Sequence, residues 1–382
     1  MKQKIAFLYL NTGGGHVAPA RALARELEQN YADGCEVSLV NGFTDDMKIS
    51  RFFFETGYRL TSNYFEPGYV LFYRATEIPL CIMIGNSIMP VSGLAHLRRV
   101  FRENGITKVV CLHEVLIGVA RRAIDQIDPS IPLITLVTDP YTAHAIWFHQ
   151  KNMELVVFSE KLRREAIQKY GFSPDRVYAF SFILSKTYEH PYTPARISEA
   201  RRTHGIPDGK KVILIAGGGE GLKGAEHIVA EFLRRKRQET LVVVCGKNRL
   251  LKFLVNSLVQ RSGASNVMVY GFVTFMPDLL NIADCVITKG GASTVMEVLS
   301  VGKPVIFSTF IRGQELGNVL FAVHGGAGWY IRKPAAILDK AQQVCENPAL
   351  AERIGANIAK LGIRNGTSDL ARFIYDFPGS RA

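Results

Sequence analysis

Short apolar runs recur along the chain and alternate with longer stretches in which apolar side chains follow helical spacing. The first five runs are Ile5–Leu10, Val37–Val40, Val109–Leu112, Leu133–Val137 and Leu155–Phe158. Helical spacing between them is clearest at Ala18–Glu28 and Val115–Ile127. Runs that are apolar throughout indicate strands buried on both faces. The pattern therefore predicts a parallel sheet with helices on both sides.

The same alternation starts again in the second half of the chain. Its strand-like runs are Val212–Ala216, Thr240–Cys245, Val267–Tyr270, Cys285–Thr288 and Val305–Ser308. The polar stretch Ser185–Pro194, which precedes a charged helix predicted at Ala195–His204, is the best candidate for a linker. We therefore predict an α/β fold of two doubly wound domains, the first over residues 1–184 and the second over 185–366.

Composition agrees with two soluble globular domains. The chain has 382 residues, of which 47% are hydrophobic. The apolar run after Met1 is too short for a signal peptide and ends in a glycine-rich loop, so we interpret it as a buried strand. Six cysteines lie far apart without a C-x-x-C pair, which predicts reduced core residues of a cytosolic protein: Cys35, Cys81, Cys111, Cys245, Cys285 and Cys345.

Positive charge is concentrated in the second half. The formal net charge is +12. Residues 1–185 carry 20 Lys and Arg against 18 Asp and Glu, a balance of +2, and residues 186–382 carry 26 against 16, a balance of +10. This distribution favours a phosphate-bearing ligand in the second domain over membrane docking of the first domain by charge. No nucleic-acid-binding module is evident.

One turn between a strand and a helix has the pattern of an anion site. The strand predicted at Asp284–Thr288 leads through glycines into a helix predicted to begin at Ser293. The first N–H groups of a helix have no partner within it, and its positive end attracts anions. The sequence therefore predicts a phosphate site at Gly291, Ala292, Ser293 and Thr294.

Acidic and amide side chains lie near the predicted phosphate site. Glu297 follows one helical turn later, roughly 6–7 Å from the anion at a rise of 1.5 Å per residue, which is the distance from a diphosphate to ribose hydroxyls. Gln314 and Glu315, after the next strand, suit the hydroxyls of a second polyhydroxylated group. A site for phosphate, ribose and sugar predicts a nucleotide-diphospho-sugar ligand.

Six motifs of the chain resemble one family of glycosyltransferases in kind and in order. Besides the phosphate turn they are Asn11–His16, Thr138–His149, Gly217–Gly221, Val244–Asn248 and Tyr270–Leu280. The family contains the monogalactosyldiacylglycerol synthases and the processive diacylglycerol glucosyltransferases and, more distantly, the lipid-linked N-acetylglucosaminyltransferase of peptidoglycan synthesis. The resemblance implies the GT-B fold, with two Rossmann-like domains, a central cleft and a last helix, within residues 367–382, that crosses back to the first domain.

The resemblance also implies roles at the amino-terminal glycine loop. Gly14 and Gly15 would face the cleft, and His16 would be the general base that takes a proton from the acceptor, a role that suits imidazole. A structural or capping histidine is the alternative. Asp139 would orient the base, or is a turn aspartate before Pro140.

Further positions are assigned to the donor by the same resemblance. Gly218 and Gly219 would bring backbone close to the ligand, although a plain strand-to-helix turn also explains them. Phe272 and Val273 would lie beside uracil, or are core residues. Trp147 would close over the donor sugar, or is simply packed.

An aromatic segment and an uncharged segment in the first half suggest contact with lipid. Nine aromatic residues fall between Arg51 and Arg74, and Ile78–Leu97 contains no charged residue. Pro and Gly interrupt the second segment, so we interpret it as interfacial and not as membrane-spanning. The resemblance places the lipid acceptor here. Burial inside the first domain is the competing interpretation.

Two stretches depart from the family pattern. Ser181–Leu184 stands where a Gly-Leu-Pro-like linker is usual, and His113-Glu114 stands where His-Pro is common. The first departure concerns the hinge and the second concerns acceptor contacts. Neither falls on the predicted donor site.

The sequence thus predicts an inverting glycosyltransferase that moves galactose or glucose from a UDP-sugar to a lipid hydroxyl, foremost that of diacylglycerol. No Asp-x-Asp signature occurs, so we expect no metal and no other cofactor. Expected partners are the donor, the lipid acceptor and an anionic membrane surface on the cytoplasmic side, without nucleic acid. Two alternatives are a UDP-sugar 2-epimerase and a non-catalytic nucleotide-sugar-binding partner of a membrane protein.

Overall fold

The computed structural model describes residues 2–11, 14–44, 47, 75–76 and 90–379. It divides the chain into two compact units. The first comprises Met1–Ile183, Arg312–Gln314 and Asn365–Ala382, and the second comprises Leu184–Ile311 and Glu315–Arg364. The last helix therefore belongs to the first unit.

A six-stranded parallel sheet with strand order β2-β1-β3-β4-β5-β6 forms the centre of the first unit. Its strands are β1 (Gln3–Tyr9), β2 (Cys35–Asn41), β3 (Lys108–Cys111), β4 (Leu133–Leu136), β5 (Glu154–Val157) and β6 (Val177–Ala179). Its helices are α1 (Gly14–Asn30), α2 (Pro90–Glu103), α3 (Ile117–Asp125), α4 (Glu160–Gln168) and, from the end of the chain, Thr367–Asp376, which is labelled α13 below. The central strands are buried on both faces, as their continuous apolar runs predicted.

Lys108 fixes the last helix to this sheet. Its ammonium group is buried and donates to the backbone oxygens of Ile374, at 2.5 Å, and Phe377, and to Gln3 Oε1 at 2.8 Å. Burial lowers the pKa of Lys108 to about 8. A cation at the carboxyl end of a helix satisfies carbonyl groups that have no helical partner.

The second unit repeats this architecture with strand order β12-β11-β10-β7-β8-β9, again parallel. Its strands are β7 (Val212–Ala216), β8 (Thr240–Val244), β9 (Val267–Tyr270), β10 (Cys285–Lys289), β11 (Val305–Thr309) and β12 (Gly328–Tyr330). Its helices are α5 (Pro194–Thr203), α6 (Ala225–Arg234), α7 (Arg249–Ser262), α8 (Met276–Ile282), α9 (Ala292–Ser300), α10 (Leu316–His324), α11 (Pro334–Glu346) and α12 (Pro348–Lys360).

The predicted α/β class and the two parallel sheets are confirmed, while the cleft between domains stays a prediction. Within the predicted linker Ser185–Pro194, a 3₁₀ turn spans Lys186–Tyr188 and Tyr188 is buried; the linker stays a prediction. The aromatic segment between Arg51 and Arg74 and most of the uncharged segment lie outside the described residues. In the described part of the chain, no helix has the length and apolarity needed to cross a bilayer.

Candidate functional site

His16 lies in the first turn of α1, at the carboxyl ends of the central strands. The helix begins at Gly14, four residues before the predicted helical stretch Ala18–Glu28. Pro19 is the sixth residue of this helix, so the Gly15 carbonyl receives no helical N–H from it. Strands β1, β3 and β4 are neighbours in the sheet, so the segments that follow them meet at the His16 side chain.

Two hydrogen bonds fix the tautomer of His16. Its Nδ1 atom lies 2.7 Å from the backbone oxygen of Leu112, after β3, and 3.1 Å from Thr138 Oγ1, after β4. A carbonyl oxygen only accepts, so Nδ1 carries the proton and donates it. The lone pair of Nε2 is then available to take a proton, which is the state that a general base requires.

His113 and Glu114 lie beside His16 and form a cluster that the sequence did not reveal. The rings of His16 and His113 are 4.4 Å apart, and burial lowers the pKa of His113 to about 3, which keeps it neutral. Glu114 Oε2 lies 3.6 Å from His113 Nδ1. His16, His113 and Glu114 each offer one atom that can bind a metal ion, and these three atoms lie within 4.8 Å of one another. In the described part of the chain, this is the group of side chains that could hold a metal ion.

Asp139 and Trp147 occupy different places around this cluster. The carboxylate of Asp139 is buried, and its Oδ1 accepts from Gln314 Nε2 at 3.3 Å, within the first unit. The Trp147 side chain is fully buried, and its ring lies 6.5 Å from that of His16. The structure thus favours the packing interpretation of Trp147 over the predicted closure on a sugar.

In the second unit, the two predicted glycine turns meet. Strands β7 and β10 are paired, so the loops that follow them lie side by side. A Cβ atom placed on Gly218, whose φ is +75°, would lie 3.9 Å from Thr294 Oγ1. Gly219 is exposed, and its backbone oxygen accepts from Lys247 N at 2.8 Å. The β7 loop therefore borders the start of α9.

Helix α9 begins at Ala292, one residue before the predicted start, with Gly291 as its N-cap. No side chain in the described part of the chain caps this end. Ser293 and Thr294 are partly exposed. The first N–H groups of this helix therefore have no side-chain cap, and the anion site stays a prediction.

Glu297 stands one turn into α9 and is only partly exposed. Burial raises the pKa of its carboxyl group to about 8. The buried hydroxyl of Tyr188 has its pKa raised by burial and also by the charge of Glu297, so these two side chains are close. A carboxyl group with so perturbed a pKa at the edge of an anion site is a candidate for ligand contact.

Both carboxylate oxygens of Glu315 accept hydrogen bonds from residues of the second unit. Its Oε1 accepts from Lys289 Nζ at 2.8 Å, and its Oε2 accepts from Ile311 N at 2.8 Å. Asn318 Nδ2 donates to the backbone oxygen of Gly290 at 2.8 Å. These bonds hold the turn between β10 and α9 in place. A contact of Glu315 with the sugar stays a prediction.

Phe272 and Val273 follow β9 directly. Val273 is partly buried, whereas the Phe272 ring is 61% exposed and has Lys247 Nζ 5.5 Å from its centre. Phe272 is therefore not a core residue, which leaves its contact with a base as the prediction. Lys247 belongs to the motif Val244–Asn248 but was not predicted as a site residue.

Gly221 combines a left-handed backbone with a close approach to backbone of another segment. Its φ is +71°, and a Cβ atom there would lie 2.6 Å from the backbone oxygen of Cys245. We expect Gly221→Ala to destabilise the protein by at least about 3 kcal/mol, because left-handed strain adds to a clash with backbone. Urea unfolding followed by circular dichroism measures this.

Gly224→Ala is the matched control for Gly221→Ala. Gly224 has a φ of +81° but open space around its Cβ position. Gly224→Ala should therefore lower the free energy of unfolding only by the strain of the left-handed conformation, about 1–2 kcal/mol. Equal losses for the two variants would show that the close backbone approach at Gly221 carries no weight.

The two parallel α/β units, the second with a glycine-lined anion turn, place the chain in the GT-B structural class. The family model of monogalactosyldiacylglycerol (MGDG) synthase matches residues 16–182, and the model of the glycosyltransferase family 28 C-terminal domain matches residues 212–353. The family resemblance predicted from the motifs is therefore confirmed: the first half is similar to the MGDG synthase model and the second half to the family 28 C-terminal model.

Individual relatives agree with the family models. Monogalactosyldiacylglycerol synthase 1, chloroplastic, of Arabidopsis thaliana is 26% identical over an alignment of 357 residues, which covers 88% of this chain and 63% of that protein. The chain thus spans less than two thirds of that relative. Processive diacylglycerol beta-glucosyltransferase of Bacillus licheniformis is 24% identical over 370 residues, covering 96% of this chain and 92% of that one.

A solved structure shows the same fold. HepE of Anabaena, crystallised with UDP and glucose, superposes with a TM-score of 0.61 at 14% identity. The match covers 97% of this chain and 98% of HepE.

Proposed function

We propose that the protein is an inverting glycosyltransferase that moves a hexose from a UDP-sugar to the hydroxyl group of diacylglycerol. The observation that carries the proposal is His16 at the carboxyl ends of the central strands, where Nδ1 donates to the Leu112 carbonyl, so that the neutral imidazole has its lone pair on Nε2. The names of the plant and Bacillus relatives support the acceptor, and the HepE complex supports the donor. We further propose action at the cytoplasmic face of the membrane.

The proposed reaction needs one base and one anion site. Nε2 of His16 takes the proton of the acceptor hydroxyl while its oxygen bonds to the anomeric carbon of the sugar. The bond from that carbon to the diphosphate breaks, and UDP leaves with the electron pair. The N–H groups at the start of α9 and the Gly218–Gly219 backbone stabilise the charge gained by UDP.

Two carboxylates are available to stabilise the imidazolium that forms on His16. Asp139 was predicted for this role, and Glu114 lies in the cluster with His16 and His113. An anion close to a protonated histidine favours its charged form. We propose that one of them, with the Leu112 and Thr138 contacts, holds His16 ready as the base.

A screen of UDP-sugars with diacylglycerol vesicles tests the function. We expect a glycosyl-diacylglycerol product from UDP-glucose or UDP-galactose. Isomerised sugar in the absence of vesicles would establish the epimerase instead. Binding of UDP without any turnover, in the presence of acceptor, would establish a non-catalytic nucleotide-sugar-binding protein.

Chelation tests the proposed absence of a metal. We expect EDTA to leave the transfer rate unchanged, because backbone N–H groups stabilise the leaving group without a cation. Transfer that EDTA abolishes and a divalent ion restores would contradict this. Metal analysis of Glu114→Gln would then show whether the His16–His113–Glu114 cluster holds the ion.

A further inference from the structure

The outward side of helix α7 carries large apolar side chains in solvent. Leu250, Phe253 and Leu254 are 65%, 66% and 40% exposed, at the i, i+3 and i+4 spacing that places them on one side of a helix. Leu251 and Val255 are buried and hold the opposite side against the second unit. Helix α7 is therefore apolar on both sides, which is unusual for a surface helix.

The loop after β9 extends this surface. Phe272 is also exposed, and Lys247 lies over its ring. A Cβ atom on Gly271 would lie 3.7 Å from Lys252 Nζ, so that lysine reaches from α7 to the same loop. We call the surface formed by the exposed residues the α7 face: Lys247, Arg249, Leu250, Lys252, Phe253, Leu254 and Phe272.

The charge of the α7 face has a single sign. Between Lys247 and Pro277 the sequence contains no Asp or Glu, and the α7 face itself carries three basic residues. An exposed apolar patch with basic residues, and with no acidic residue in its own stretch of sequence, is complementary to a surface of anionic headgroups over hydrocarbon.

We propose that the α7 face binds an anionic lipid bilayer. Phe253, Leu250 and Leu254 enter the boundary between headgroups and acyl chains, while Lys252 and Arg249 contact lipid phosphates. A second copy fits poorly, because a two-fold contact would set each basic cluster against its own copy. The inference assigns a membrane surface to the second unit, whereas the segments predicted to meet lipid lie in the first half.

Vesicle cosedimentation of the full chain, without donor, tests the proposal independently of the proposed reaction. Phe253→Ser/Leu254→Ser should weaken partition onto phosphatidylglycerol-containing vesicles at least about tenfold. Arg249→Glu/Lys252→Glu should weaken it by about as much at low salt and less at 0.5 M NaCl. Matched controls that should change little are Leu39→Ser/Leu320→Ser and Arg353→Glu/Lys360→Glu, all exposed elsewhere.

A local probe reports on the α7 face even if other segments also bind lipid. Tryptophan at Phe253→Trp should be quenched by brominated phosphatidylglycerol, whereas Leu320→Trp should not. Unchanged partition of both α7 variants, or no quenching of Phe253→Trp in bound protein, would overturn the proposal. Concentration-dependent self-association that Phe253→Ser/Leu254→Ser abolishes, without loss of vesicle binding, would assign the face to a second copy instead.

Discussion

Replacing His16 with alanine should lower the rate of sugar transfer by about 10²–10⁴, the usual contribution of a positioned general base. Affinity for UDP should stay close to that of the native protein, because the anion site is built by the second unit. Initial rates with diacylglycerol vesicles and calorimetry with UDP measure the two quantities. Normal turnover by His16→Ala would remove this histidine from the mechanism.

Companion variants at the two carboxylates sharpen this test. Glu114→Gln and Asp139→Asn both keep the shape of the side chain and remove its charge. The variant whose rate falls, with UDP affinity preserved, identifies the carboxylate that supports the imidazolium. If neither rate changes, the Leu112 and Thr138 contacts suffice to hold His16 as the base.

Glu297→Ala should weaken UDP binding by about 1–3 kcal/mol, the cost of leaving a buried ribose hydroxyl without its hydrogen-bond partner. The reason is its position one turn from the helix start that is arranged for phosphate. Calorimetry with UDP measures the effect. Unchanged affinity would exclude Glu297 from the nucleotide site.

The raised pKa of Glu297 adds a dependence on pH. In the unfolded chain a glutamate titrates near its ordinary value of about 4.3, whereas in the folded protein Glu297 titrates near about 8. The protonated carboxyl group of Glu297 therefore makes its full contribution to the free energy of unfolding below the unfolded-state pKa. This contribution is lost as the pH rises through the folded-state pKa of about 8. We expect Glu297→Gln, which cannot ionise, to gain stability relative to the native protein between those values, as urea unfolding at several pH values would show.

The positions of the strands could be predicted from the sequence wherever a strand is apolar at every residue. Of the twelve strands in the described part of the chain, ten coincide with predicted runs to within two residues at each end. The two that were missed, β6 and β12, have three residues each and lie at sheet edges. Edge strands are only partly buried, so their sequences, Val177–Ala179 and Gly328–Tyr330, lack the apolar run that marks a central strand.

The candidate site was predictable where one local turn forms it. Gly291 to Thr294 are neighbours in the chain, so their pattern alone predicted an anion site. Contacts that join distant segments left no such signal: the bond of His16 to Leu112, the proximity of Glu114, and the complete burial of Trp147. Each depends on which strands are neighbours in the sheet, and strand order is not contained in hydrophobic spacing.

The bonds from Lys108 to the end of α13 have a consequence for biosynthesis. When residues 1–183 have left the ribosome the first unit is still incomplete, because one of its helices follows the second unit in the chain. Until α13 is made, the Lys108 ammonium group has no backbone oxygens of Ile374 and Phe377 to bond, and the surface that packs against α13 is exposed to solvent. The amino-terminal unit must therefore wait, partly folded, while the carboxyl-terminal unit is made and folds.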